Sequence, residues 1–277
     1  MPRHQWLGER LSLSARRYRT IFISDVHLGT RGCQAGLLLD FLREVDADTI
    51  YLVGDIVDAW RLKQGWYWPQ DHNDVVQKLL RKVRKQVRVV YVPGNHDEFL
   101  KGFLGVHFGG VEVVERAIHV GVDGKRYLVV HGDAFDMVVR HARWLALFGD
   151  WAYEAALWFN THLNTVRRHL GLTYWSLSQW AKLKVKGAVN FIGDYEQALV
   201  LEAQRHAADG IICGHIHHAA IHDDLGIRYM NCGDWVESCT ALAETYDGEF
   251  QLLRWPEAAA PSLPLVPVAA ELVSKAA

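Results

Sequence analysis

Cysteine is scarce in this chain. Four are spread over 277 residues, Cys33, Cys213, Cys232 and Cys239, and none form a C-x-x-C pair. That excludes a disulfide-built scaffold and a thiolate zinc site, and leaves free thiols in a reducing compartment as the expectation. Long apolar runs are missing too, so no membrane span is expected. Neither sign of charge dominates: 30 Lys and Arg against 32 Asp and Glu give −2. A global attraction to polyanions is thereby excluded, and no nucleic-acid partner is expected. The opening stretch, MPRHQWLGERLSLSARRYRT, is dotted with Arg and lacks the apolar centre of a secretory signal, so the expected location is cytoplasmic.

What the chain does have is a rhythm of short apolar runs that end in polar turns: TIFISDVHLG, TIYLVGDIVD, VRVVYVPGNHD, KRYLVVHGD, DGIICGHIHH and IRYMNCGDW. Helical patterns separate several of them, at Leu37 to Glu44 and Val75 to Lys85. Buried strands alternating with helices indicate an α/β protein. Two hairpins are also legible, at Asp123-Gly124 and Asp247-Gly248, where the residue pairs suit type I′ turns. The sheets are therefore expected to be mixed.

The rhythm breaks between residues 138 and 190. Trp144, Phe148, Trp151, Ala155, Trp158 and Phe159 recur there at spacings of three and four, the stripe of a helical insertion. The expected organisation is a basic N-terminal arm over residues 1–19, one domain over 20–255 that carries the insertion, and a Pro/Ala-rich tail over 256–277.

The polar turns supply the chemistry. Asp25 and His27 are two apart and point the same way from an extended segment, while Val26 points inward. Asp55 follows the second run, Asn95 the third, His131 the next, and His215 and His217 follow IICG. Ligands of α/β sheets bind beyond the carboxyl ends of the strands. Seven oxygen and nitrogen donors are too many for one small ion with room for substrate. They suit two ions that share a carboxylate and clamp the attacking and leaving oxygens of a phosphoryl displacement. The mixture of imidazole and carboxylate favours Mn²⁺, Fe²⁺ or Zn²⁺ over Mg²⁺ or Ca²⁺.

In this order, each after an apolar strand, DVH, GD, GNHD, HGD and GHIH resemble the five motif blocks of the calcineurin-like metallophosphoesterases. The resemblance implies a four-layer sandwich of two facing mixed sheets flanked by helices. It also implies two divalent ions, the first held by Asp25, His27, Asp55 and His217. Asp55, Asn95, His131 and His215 would hold the second, with Asp55 bridging. His96 would stand beside the metals to contact phosphate or protonate the leaving oxygen. Asp97 would orient His96, and Gly94 would permit the close backbone approach. Asp133 and Asp234 are expected as hydrogen-bond acceptors for ligand histidines, Asp58 as a helix-start or supporting carboxylate, and His218 and His222 as rim residues.

The insertion bears on the substrate. Between residues 139 and 190, seven Lys or Arg stand against Asp150 and Glu154, together with five tryptophans. A basic, aromatic block placed after His131 reads equally as packing against the core and as a lid over acyl chains and phosphate. The arrangement is similar to that of the UDP-2,3-diacylglucosamine diphosphatases of bacterial lipid A synthesis. That likeness implies a Mn²⁺ enzyme at the cytoplasmic face of the inner membrane, acting on a nucleotide-linked lipid and releasing UMP. Lys182, Lys186, Trp158 and Arg143 would contact the substrate. One departure stands out: those enzymes read Asn-Arg-Asp where this chain reads Asn95-His96-Asp97. Arg clamps phosphate but cannot donate a proton at neutral pH, whereas His can. A soluble phosphodiesterase for cyclic nucleotides or other small diesters therefore stays open, as does a non-catalytic scaffold on the same fold.

Overall fold

A computed structural model describes residues 16–135, 192–193 and 195–256. The parallel heart of the larger sheet is β1 (Arg16–Ile23), β2 (Val45–Val53) and β3 (Arg88–Val92). It is extended by β5 (Val111–Val113) and the two-residue β4 (His107–Phe108) on one side, and by β11 (Thr240–Glu244) and β12 (Phe250–Arg254) on the other. The order is β12-β11-β1-β2-β3-β5-β4, parallel in the middle and antiparallel at both ends. A second, five-stranded sheet runs β6 (Ala117–Val120), β7 (Arg126–Val129), β8 (Gly210–Cys213), β10 (Arg228–Asn231) and β9 (Ala220–His222). Both sheets are mixed, as the sequence suggests.

Alternation along β1 shows how the layers form. Ile21 and Ile23 face the outer helices α1 (Ala35–Glu44) and α3 (Gln70–Arg84), whereas Phe22 faces the second sheet. Phe22, Tyr51, Val53, Val90 and Val92 meet Tyr127, Val129, Ile212 and Met230 between the sheets. A helix over residues 195–205, here α4, covers the far side through Tyr195, Leu199 and Ala203. The result is helix, sheet, sheet, helix.

Two expectations shift. β1 begins at Arg16, inside the stretch read as an arm, because Arg16 and Arg17 lie in register with Val45 and Asp46 of β2. Both Asp-Gly hairpins use a different turn: only Gly124 (φ +76°) and Gly248 (φ +86°) are left-handed, and the Gly124 and Gly248 amides donate to the Gly121 and Thr245 carbonyls. A type I turn followed by a left-handed glycine replaces the expected type I′, which needs positive φ at both central residues. The insertion and the tail beyond Pro256 lie outside the described residues. Among those residues no helix is long and apolar enough to cross a membrane.

Candidate metal centre

All seven expected donors lie in the turns that follow β1, β2, β3, β7 and β8. The backbone there is unusual: Asp25, His27, Asp55, His215 and His217 have φ between +51° and +72°. L residues avoid this region at a cost of about 1–3 kcal/mol each, so the surrounding structure has to hold them there. Hydrogen bonds between turns do so. The Asp25 amide donates to the Gly54 carbonyl, and the His27 amide to the Asp55 carbonyl.

Asp55 and Asp25 each divide their two carboxylate oxygens between partners. Asp55 Oδ1 accepts from the His96 amide at 2.8 Å, while Oδ2 lies 3.3 Å from His131 Nε2 and 4.0 Å from His27 Nε2. Asp25 Oδ2 accepts from the His215 amide at 2.8 Å, while Oδ1 lies 3.3 Å from His217 Nε2 and 4.0 Å from His27 Nε2. The imidazoles are fixed at the opposite nitrogen: His131 Nδ1 donates to the Val53 carbonyl and His27 Nδ1 to Asp58 Oδ2. Anchoring Nδ1 leaves Nε2 as the lone-pair nitrogen, as a metal ligand requires.

Two groups result, Asp25–His27–His217 and Asp55–His131–His215, each with one ligand atom per residue inside a 4.8 Å cluster. His27, Asp55 and His96 form a third such group between them. Asp25 Oδ1, His27 Nε2, Asn95 Oδ1 and His131 Nε2 are buried without a hydrogen-bond partner among the described residues. Orphaned buried polar atoms cost about 1–3 kcal/mol each. Four of them converging from three strand ends fit divalent cations.

Electrostatics point the same way. Burial alone would raise the Asp55 carboxyl, but His131 and His96 together outweigh it and hold it well below the usual range. Burial likewise disfavours imidazolium at His131, yet the negative charge of Asp55, 3.3 Å from Nε2, pushes that ring up to about 10. His217 is raised, against burial, by Asp25, and Asp25 is lowered, against burial, by His217. Without a cation the cluster keeps protons to balance its carboxylates.

Glycine makes room at two points. A Cβ on Gly54 (φ +75°) would sit 2.3 Å from the His131 ring, and one on Gly94 would sit 2.3 Å from Asp55 Oδ1.

Several supporting roles differ from expectation. Asp97 makes no hydrogen bond to His96; it is fully buried and accepts from the Gly94 and Ile56 amides and the Tyr91 hydroxyl. The carboxylate beside His96 is Asp58, 3.0 Å from Nδ1 but off the hydrogen-bonding direction. Burial disfavours the His96 imidazolium, and Asp58 and Asp55 more than offset it. Asp58 also caps α2 (Ala59–Gln64) through the Arg61 amide, so the helix-start and supporting readings are both right. Asp133 pairs with Lys101 and Asp234 closes its own turn with Val236, Glu237 and Ser238, so neither accepts a hydrogen bond from a ligand histidine. His218 is exposed, and His222 lies 3.3 Å from Glu196.

Sequence reasoning missed Trp60, whose ring lies 4.3 Å from that of His96, and Asn231, which donates to the Gly214 carbonyl behind the His215 turn. The only signal for Trp60 was an aromatic two residues past Asp58. Arg143, Trp158, Lys182 and Lys186 lie outside the described residues.

The chain belongs to the calcineurin-like phosphoesterases: that family's sequence profile matches residues 18–219, which include all seven donors. The chain is a metal-dependent phosphoester hydrolase. A protein named UDP-2,3-diacylglucosamine hydrolase, from Pseudomonas paraeruginosa, is 28% identical over 247 residues, covering 83% of this chain and 97% of that relative. A protein of the same name from Photorhabdus laumondii is 26% identical over 216 residues, covering 74% of this chain and 84% of the relative. Among solved structures, Vps29 from Entamoeba histolytica aligns with 85% of this chain and 97% of its own at 15% identity and a TM-score of 0.40, too loose to add to the assignment.

Proposed function

We propose that the chain hydrolyses the pyrophosphate of a UDP-diacylglucosamine-type lipid, releasing UMP and the lipid 1-phosphate. The observation that carries the chemistry is the set of buried, partnerless ligand atoms around Asp55. Asp25, His27, Asp55 and His217 would hold one divalent cation, and Asp55, Asn95, His131 and His215 the other. Such a pair supplies Lewis acidity toward the phosphoryl group and a nucleophile near neutral pH. The histidine-rich donor set favours Mn²⁺, with Fe²⁺ or Zn²⁺ as substitutes.

The chain's own groups do the rest. Asn95 contributes a neutral oxygen, which keeps the ligand charge low enough for an anionic phosphate to approach. His96, whose protonated form Asp58 and Asp55 favour and which Trp60 backs, protonates the departing oxygen. Asp97 stiffens the turn that carries Asn95 and His96. From the insertion, Lys182, Lys186 and Arg143 would neutralise phosphate charge and Trp158 would meet the acyl chains.

The relatives' shared name and near full-length coverage support the lipid substrate. His96 favours a second reading, a phosphodiesterase for small diesters, because a proton donor helps poor leaving groups of many kinds. Incubation of Mn²⁺-loaded protein with UDP-2,3-diacylglucosamine in detergent, beside bis-p-nitrophenyl phosphate, separates the two. UMP release establishes the lipid reaction; nitrophenolate without UMP keeps the chemistry and discards this substrate.

A further inference from the structure

His215 stands at the centre of a tight turn: its φ is +72°, and the Ile216 amide donates to the Gly214 carbonyl at 2.9 Å. A three-residue turn closed this way around a positive φ is the rare, strained form of the γ-turn, so contacts from outside have to hold it. The Gly214 carbonyl receives two more donors, the Asn231 side-chain amide at 2.8 Å and the Tyr195 hydroxyl at 3.3 Å. Three donors on one carbonyl exceed the two lone pairs it offers.

Tyr195 reaches this turn from α4. It is fully buried, and its ring centre lies 6.0 Å from that of His215. Its hydroxyl also occupies the space that a side chain would need at Gly132 (φ +112°), the neighbour of His131, where an added Cβ would overlap the oxygen. The Gly214 amide in turn donates to the His131 carbonyl at 3.1 Å. The hydroxyl is therefore wedged between the turns that carry His131 and His215.

Peptide geometry says what the wedge does. In a planar trans peptide the C=O and the N–H point in opposite directions. Holding the Gly214 carbonyl on one side aims the His215 amide the other way, where it meets Asp25 Oδ2 at 2.8 Å. One peptide group thus orients His215, a donor to one candidate cation, and Asp25, a donor to the other.

We infer that Tyr195 is a positioning residue for both cations: its hydroxyl, with Asn231, fixes the plane of the Gly214–His215 peptide and through it the His215 ring and the Asp25 carboxylate. Supports of this kind change metal affinity by about 10- to 100-fold. Tyr229 offers an internal comparison, because its hydroxyl lies in the same buried cluster but contacts Cys213 and Asn231 instead. The inference rests on the metal assignment above and not on the substrate, so Mn²⁺ binding tests it without turnover.

The test is calorimetric titration of the metal-free full chain with Mn²⁺, beside hydrogen exchange at the His215 amide. Tyr195→Phe keeps the ring and removes only the hydroxyl. It should bind Mn²⁺ about tenfold more weakly than the parent and exchange the His215 amide about tenfold faster, while the Ile212 amide within β8 keeps its rate. Asn231→Ser, which withdraws the other side-chain donor from the same carbonyl, should act alike and serves if Tyr195→Phe does not fold. Tyr229→Phe should match the parent in both measurements. Parent-like Mn²⁺ affinity in the folded variants of Tyr195 and Asn231 would overturn the inference, and so would an equal loss in Tyr229→Phe or equally faster exchange at Ile212, each of which would make the effect one of general packing. A parent chain that takes up no Mn²⁺ would overturn the metal assignment and the inference with it.

Discussion

Two buried clusters of imidazole and carboxylate sit at opposite ends of the same sandwich. At the end where β1 starts, Glu244 accepts from Arg19 at 2.6 Å, from His119 at 2.9 Å and from the Val122 amide at 2.9 Å. At the end where β1 stops, Asp25, Asn95, His27 and His131 each aim an atom at no protein partner. Burial is similar and the residue types match, yet one cluster is satisfied internally and the other is left open. Burial of titratable groups alone therefore does not mark a site. Unmet bonding capacity does, and strained backbone accompanies it: five of the seven donors have positive φ, whereas Glu244 and His119 do not.

The comparison can be broken most forcefully at Asp55. Asp55→Asn retains an acceptor for the His96 amide but removes the shared charge. Turnover of bis-p-nitrophenyl phosphate should drop about 10³-fold or more, with a matching loss of bound metal by elemental analysis. Normal metal content would show that Asp55 is not the shared ligand.

Glu244→Gln should do the reverse. Removing the charge from a fully buried, triply bonded carboxylate costs about 3 kcal/mol in a urea melt, while the folded fraction keeps its turnover. Burial would raise the Glu244 carboxyl, but His119 and the Val122 amide hold it below its ordinary value. Its contribution is therefore present above pH 4.5 and fades as pH falls through the lower folded value.

His96→Ala should lower turnover about 10²-fold with metal content unchanged. The loss should be greatest for alkyl leaving groups and least for nitrophenolate. Loss of both metals in that variant would make His96 a ligand instead of an acid.

The smallest effect is one proton. With His131 raised to about 10, the metal-free protein carries imidazolium there at pH 7.5, and a cation must displace it. Calorimetric titration with Mn²⁺ in buffers of different ionisation enthalpy should report proton release, and affinity should rise with pH toward 10. For the metal-free fold the sign is opposite: this pair's contribution is complete below pH 6.5 and is lost as pH rises through about 10. Binding without proton release would mean that the Asp55–His131 pair does not form.

Much of this was legible because strand ends carry short-range signals. DVH, GNHD and GHIH each follow an apolar run in the sequence, and β1, β3 and β8 end just ahead of them. What stayed hidden was contact between turns. Asp97 adjoins His96 in sequence and seemed its natural support, yet its carboxylate turns to Gly94 and Ile56, and Asp58 approaches the ring from another turn. The exposure of Phe99, Phe103 and Phe108 was hidden for a different reason: nothing in the sequence marks β4 as a sheet edge.

The divided oxygens of Asp25 and Asp55 have a mechanical consequence. Each carboxylate stitches its own turn to the next, Asp25 to the amide of His215 and Asp55 to that of His96. The turns so joined carry ligands of both candidate cation positions. Truncating either aspartate to alanine would therefore loosen the fabric around both positions at once, and the two cations should be lost together, whereas asparagine, which keeps the stitch, isolates the charge.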